Sequence, residues 1–258
     1  MTRSTLPGRL SGRTVFLAAS VPDSERHPEY LQIADAPFQI EQAVVSLARA
    51  VFSEGGRLVF GGHPSISPLV AMVAGEYREP LRAEEHEERP VAQVAIYQSE
   101  AFREVIPHDT DLLIRMGLAE EHWIPAVDGE RFVRGKGSGG VQCPLSLKVM
   151  RERMIDETRP AAMVCIGGME GVEAEVRLFG KRGIVFTLAR TGGAAAILSQ
   201  EAADVIAVDE VVLRDLRSRD TEFSGFRDLP REGDIEVIPF PLIMQSIVDH
   251  IAEGEARL

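Results

Sequence analysis

Apolar residues in this chain fall into short unbroken runs, separated by longer stretches where they recur every three or four positions. The runs Thr14–Ala19 (TVFLAA), Arg57–Phe60 (RLVF), Val91–Tyr97, the AAMVCI segment ending at Gly167-Gly168, and Gly183–Thr187 predict strands. Asp111–Arg115 and Asp204–Val208 predict two weaker ones. Runs with no polar alternation suit strands buried on both faces. Between them, Gln39–Ser53 places Ile40, Val44, Leu47, Ala48 and Val51 on one helical stripe, closed by Gly55-Gly56. The same spacing predicts helices over Leu69–Tyr77, from near Ser99, from near Ser146, after Gly168, up to Leu198, over Asp209–Arg219 and over Leu242–Ala252.

Strands alternating with helices predict an α/β fold: a Rossmann-like, doubly wound parallel sheet with helices on both faces, in a single domain over residues 13–258. Residues 1–12 read as a short disordered leader, with no apolar segment to make a signal peptide. The charged stretch AEEHEER (Ala83–Arg89) reads as solvated. Residues 117–145 read as an irregular insertion carrying GKGSGG at Gly135–Gly140, long enough to suggest a lid.

In a sheet of this kind, ligands bind outside the carboxyl ends of the strands, where strand order reverses. The loops expected there hold Ser20, then Gly61-Gly62-His63-Pro64, then Ser99, then Gly167-Gly168, then Arg190-Thr191-Gly192-Gly193. One glycine pair alone reads as a tight turn; three on one edge suggest a pocket where backbone N–H groups approach a ligand. His63 is either a ligand contact or a loop-shaping residue. Ser20 and Ser99 either donate to phosphate or cap the next helix, and Arg190 either neutralises an anion or is solvated.

Composition narrows the partners. A net charge of −12 and a pI near 5.0 disfavour nucleic acid and an acidic membrane surface, so an anionic ligand must be held locally by a few arginines and amides. No run is long enough to span a membrane. Cys143 and Cys165 lack metal spacing and read as buried structural thiols in a reducing, cytoplasmic compartment. No metal site and no cofactor is expected.

Two charged residues stand out. Arg151 borders the apolar face formed by Leu147, Met150, Met154 and Ile155, and Glu175 lies beside the face formed by Val172, Val176 and Phe179. Periodicity alone leaves two readings: surface charges or a structural ion pair, or a guanidinium and a carboxylate brought to one cleft.

Met150-Arg151 followed by IGGMEGVEAE (Ile166–Glu175) resembles the signature of Lonely Guy phosphoribohydrolases, an arginine helix and then a strand ending in Pro-Gly-Gly-x-Gly-Thr-x-x-Glu. The wider resemblance is to the SLOG superfamily, and to its prokaryotic branch found near anti-phage and nucleotide-signalling genes. It runs through FLAASVP (Phe16–Pro22), LVFGGHPSISPL (Leu58–Leu69), IYQSEAF (Ile96–Phe102), SLKVMRERM (Ser146–Met154) and TGGAA (Thr191–Ala195). The resemblance implies a Rossmannoid that binds nucleotide-derived ligands, commonly as a homodimer or higher homo-oligomer. It also implies that Arg151 and Glu175 match the catalytic pair, with Gly167, Gly168 and Gly171 as the motif glycines. A carboxylate there stabilises positive charge building on ribose as the base leaves, while the arginine positions phosphate or base.

Three departures bear on the substrate. Ile166 replaces the proline, Val172 replaces the threonine, and Glu170 is an extra residue. The lost hydroxyl and the added charge count against a strict 5′-monophosphate hydrolase and favour a larger signal, cyclic or of ADP-ribose type. The expected function is therefore a sensor of a nucleotide-derived molecule, passing its message to a separate effector protein. The alternative is an N-glycosidase acting through Glu175 and Arg151, and a scaffold with a vestigial pocket is a third class.

Overall fold

The computed structural model describes residues 8–23, 28–30, 33, 35–77, 93–105, 108–133, 141–220 and 238–254. The leader up to residue 7, the AEEHEER stretch, Val91-Ala92, the GKGSGG loop and the polar stretch 221–237 lie outside the described residues. The elements in order are β1 (Thr14–Ser20), α1 (Ala36–Ser53), β2 (Arg57–Phe60), α2 (Ser67–Glu76), β3 (Val94–Ser99), α3 (His108–Arg115), β4 (Ala119–Ile124) and α4 (Pro144–Thr158). They continue with β5 (Ala162–Gly167), α5 (Glu170–Phe179), β6 (Ile184–Leu188), α6 (Gly193–Glu201), β7 (Val205–Ala207), α7 (Val208–Asp220) and α8 (Phe240–Glu253).

The seven strands form one sheet in the order β4-β3-β2-β1-β5-β6-β7, and every pairing is parallel. This is the doubly wound α/β sheet read from the sequence. Alternate residues divide the apolar strands between two cores. Val15 and Leu17 of β1 join Ile40, Leu47 and Val51 of α1 and Ile243 and Ile247 of α8 on one face. Phe16 and Ala18 join Met150 and Met154 of α4, Phe179 of α5 and Ala194 of α6 on the other. Phe179 is fully buried and meets Phe16 edge-on at 6.4 Å, a packing that contributes about 2–3 kcal/mol.

Four expectations need correction. Asp111–Arg115 belongs to helix α3, not a strand. The stretch 117–145 is not wholly irregular: Ala119–Ile124 is the edge strand β4, paired in register with β3 from Val94 to Ser99. The helix expected near Ser99 is a 3₁₀ turn over Glu100–Val105. Within the supposed leader, residues 8–12 are described, and Leu10 is fully buried with its N–H bonded to the carbonyl of Glu54. Val70, Val73 and Ala74 of α2 are buried in the protein's own core, leaving Met72 exposed.

Strand order reverses between β1 and β5. The chain leaves β1 for α1 on one face and leaves β5 for α5 on the other, so a crevice opens above their carboxyl ends. Helix α4 carries the chain back from edge strand β4 to central β5 over the same face of the sheet as α5, packing on β2, β3 and β4.

Candidate functional site

A cleft of about 530 Å³ lies over this reversal. Its floor is Leu17, Ala19 and Ser20 of β1, one wall is Phe60–Pro64, and the opposite wall comes from α4 (Leu147, Met150, Arg151) and α5 (Gly171, Val172, Glu175). Gln98, Phe102, Val105 and Phe132 close the end above β3.

Arg151 and Glu175 meet in it. Nε donates to Oε1 at 3.1 Å, and the side chains are 15% and 13% exposed. Gly171 makes room for this arrangement, because a Cβ there would lie 3.1 Å from an η nitrogen of Arg151. Arg151 lines the cleft, and among the described residues nothing else bonds its guanidinium, which leaves the η hydrogens unspent. Burial pushes the Glu175 carboxyl above the ordinary carboxylate range, and the adjacent Arg151 charge partly offsets that. The pair is thus an ion pair and a cleft constituent at once.

The Ser20 hydroxyl has no protein partner among the described residues, whereas the Ser20 carbonyl accepts from Gly168 N–H at 2.7 Å. His63 lines the wall and shapes the loop: Ser65 N–H meets its Nδ1 at 3.3 Å, and its carbonyl accepts from the N–H of Ile66 and Ser67. Burial lowers its pKa, which favours the neutral ring. Of the residues read from sequence, the structure therefore gathers Ser20, Gly61, Gly62, His63, Arg151, Gly171 and Glu175.

The others stand outside the cleft. Ser99 is fully buried and caps the 3₁₀ turn by accepting from Ala101 N–H at 3.2 Å. Gly167 and Gly168 (φ +59° and +87°) spend their N–H groups on Thr191 Oγ1 and the Ser20 carbonyl. Gly192 and Gly193 dock α6 against them, with Ala194 N–H bonded to the Gly168 carbonyl at 2.9 Å. Two of the three glycine pairs thus pack against each other, and neither lines the cleft. The Arg190 N–H bonds Asp209 Oδ2 at 2.7 Å, and its side chain is not among those lining the cleft. The first turn of α5 already carries Glu170 and Glu173, which complement its positive end.

Thr191 is the rivet of this junction. Its hydroxyl is fully buried, accepts from Gly167 N–H at 2.8 Å and donates to the Leu188 carbonyl at 2.6 Å. Thr191→Val is expected to lower unfolding stability by about 2 kcal/mol, since two buried backbone groups lose their partner. Thr191→Ser should cost less than half of that, and urea denaturation of both variants checks the difference.

Sequence reasoning missed Gln98, Phe102, Val105 and Phe132. Only Gln98 left a signal, as a polar residue in an otherwise apolar strand. The segment carrying Phe132 is held in place: Phe132 N–H bonds the Ala101 carbonyl at 2.9 Å, and the Glu130 carboxylate accepts from the first N–H groups of α4, Leu145 at 3.2 Å and Ser146 at 2.7 Å. The Phe102 and Phe132 rings sit 5.3 Å apart. Both cysteines are buried, and burial pushes both thiols upward. Among the described residues, no group of three or more His, Cys, Asp or Glu could hold a metal, and no helix is long and apolar enough to cross a membrane.

The sheet order and the cleft at its reversal define a Rossmann-like α/β domain of the doubly wound type. The sequence profile of the SLOG cluster3 family matches residues 29–217, and the chain belongs to that family. No curated protein matches it. The solved X-ray structure of TM1055 is similar over 73% of this chain and 81% of that one, at 14% identity with a TM-score of 0.44.

Proposed function

We propose that the cleft binds a nucleotide or nucleotide-derived signalling molecule, and that the protein is a ligand sensor that passes its state to a separate effector or between copies of itself in a prokaryotic defence or signalling setting. The observation that carries this reading is the Arg151 guanidinium, anchored through Nε by Glu175 in the wall of a largely apolar cleft, with its η nitrogens unbonded among the described residues. A planar base suits the Phe60, Phe102 and Phe132 end, and an anionic or hydroxyl-bearing part suits Arg151 and Ser20. The amides at the β5 end and Ala194 at the start of α6 are spent internally, and carboxylates occupy the first turn of α5. That supports a larger ligand over a bare 5′-monophosphate.

The second reading, an N-glycosidase, is favoured by the Glu175 carboxylate in the same cleft, where it can stabilise positive charge developing on ribose. One experiment separates the two. The protein is incubated with mononucleotides, NAD and cyclic ADP-ribose isomers, following thermal shift and release of free base. Stabilisation without base release is the expected result. Base release that falls at least a hundredfold in Glu175→Gln would make the protein a hydrolase, and neither effect with any ligand would remove both readings.

A further inference from the structure

Among the described residues Gln98 is the only polar side chain at the end of the cleft above β3, and its orientation is fixed. It is 8% exposed, and its amide nitrogen donates to the carbonyls of Gly61 at 2.8 Å and Gly62 at 3.3 Å. A flipped amide would set its own oxygen against those two carbonyl oxygens, so the assignment follows from the partners. Gly62 exists for this contact: its φ is +65°, and a Cβ there would lie 2.2 Å from Gln98 Nε2. With both amide hydrogens spent, the remaining polar atom is Oε1, an acceptor to which no described group of the protein donates. The cleft that Gln98 lines is also lined by Phe60, Phe102, Phe132 and Met150, which supply apolar surface and no donor of their own.

We propose that Gln98 is the base-selecting residue of this cleft, and that the ligand carries a nucleobase with an exocyclic amino group whose N–H is donated to Gln98 Oε1. The assignment rests on the nucleotide reading above. An acceptor with locked geometry in a cleft wall discriminates more sharply than an apolar pocket, because a base that presents oxygen in place of the amino group sets two acceptors against each other. A sugar hydroxyl fits this end less well, since its neighbours are aromatic faces suited to a planar ring.

The test compares each base with its deaminated counterpart on the full chain: AMP with IMP, CMP with UMP, GMP with XMP, and ADP-ribose with its hypoxanthine analogue. Titration calorimetry is expected to give at least tenfold tighter binding of the amino form in the best-bound pair. Gln98→Met is expected to bring the two forms of that pair within about threefold of each other. Equal affinity for both forms in the wild type, or loss of binding on 2′-deoxygenation instead, would overturn the assignment and leave the nucleotide reading standing. Absence of binding by every nucleotide would remove both. Should Gln98→Met fail to fold, the wild-type crystal complex decides. An amino nitrogen within hydrogen-bond distance of Oε1 supports the proposal, and one beyond about 4 Å overturns it.

Discussion

Replacing Arg151 by methionine is expected to lower unfolding stability by about 3 kcal/mol at pH 7, because the Glu175 carboxylate loses its only counter-charge among the described residues. The loss should depend on pH in a set direction. Burial already holds the folded Glu175 carboxyl above its unfolded value, so between those two values the folded state keeps a proton that the unfolded state has released. Stability contributed at this residue therefore falls as pH rises through that window. Removing Arg151 takes away the opposing effect, extends the window upward and deepens the loss. The deficit of the variant relative to wild type should shrink as pH is lowered toward the carboxylate range. Adding Glu175→Gln to Arg151→Met removes the orphaned charge and should recover most of the stability, but not ligand binding. Urea denaturation of the two single variants and the double variant at pH 7 and pH 5 reads the stability expectations, and thermal shift with nucleotide reads the loss of binding.

Gly193→Ala is expected to cost at least about 3 kcal/mol, and to unfold the junction between β5 and α6 if the rest of the molecule tolerates it. The residue has φ +58°, and a Cβ there would lie 2.3 Å from the Gly168 carbonyl oxygen and 2.7 Å from Pro22 Cγ. The first obstacle is backbone, which cannot rotate aside as a side chain would. Gly12→Ala is the contrasting case. That residue also has positive φ, but no atom lies within 4 Å of its added Cβ, so only the left-handed backbone term of about 1 kcal/mol applies. Thermal unfolding of the two variants should separate backbone conformation from contact. Similar losses in both would mean that the two glycine pairs do not interlock.

That interlock also shows what was legible in the sequence. Strands buried on both faces announced themselves as unbroken apolar runs, so β1, β2, β5 and β6 were located to within a residue or two, and the alternation with helices fixed a doubly wound sheet. Edge strand β4 escaped because an edge exposes polar side chains: Glu120, Glu121 and His122 carry no apolar pattern, and His122 gains its place only by stacking 4.3 Å from Tyr97 on the neighbouring strand. Asp111–Arg115 misled for the opposite reason, since three adjacent apolar residues fit a strand or one side of a short helix. At the site, the helical border positions of Arg151 and Glu175 were readable because 3.6-residue periodicity sets direction. The glycine pairs were not separable by sequence, because a glycine that admits a ligand and one that admits a neighbouring loop look alike. Only Gly61-Gly62 lines the cleft, and there it serves Gln98 as much as any ligand. Phe102 and Phe132 come from a 3₁₀ turn and an irregular segment, and neither carries a periodic signal.

The central claim is that a nucleotide-derived molecule sits over the strand-order reversal with Arg151 beside it. The most direct measurement is a crystal structure of the wild-type protein with whichever nucleotide gives the largest thermal shift. The account predicts that molecule in the cleft, its phosphate or ribose oxygens within hydrogen-bond distance of the Arg151 η nitrogens and its base between Phe102 and the Gly61–Pro64 wall. A nucleotide bound elsewhere on the surface, with the cleft empty at saturating concentration, would contradict it.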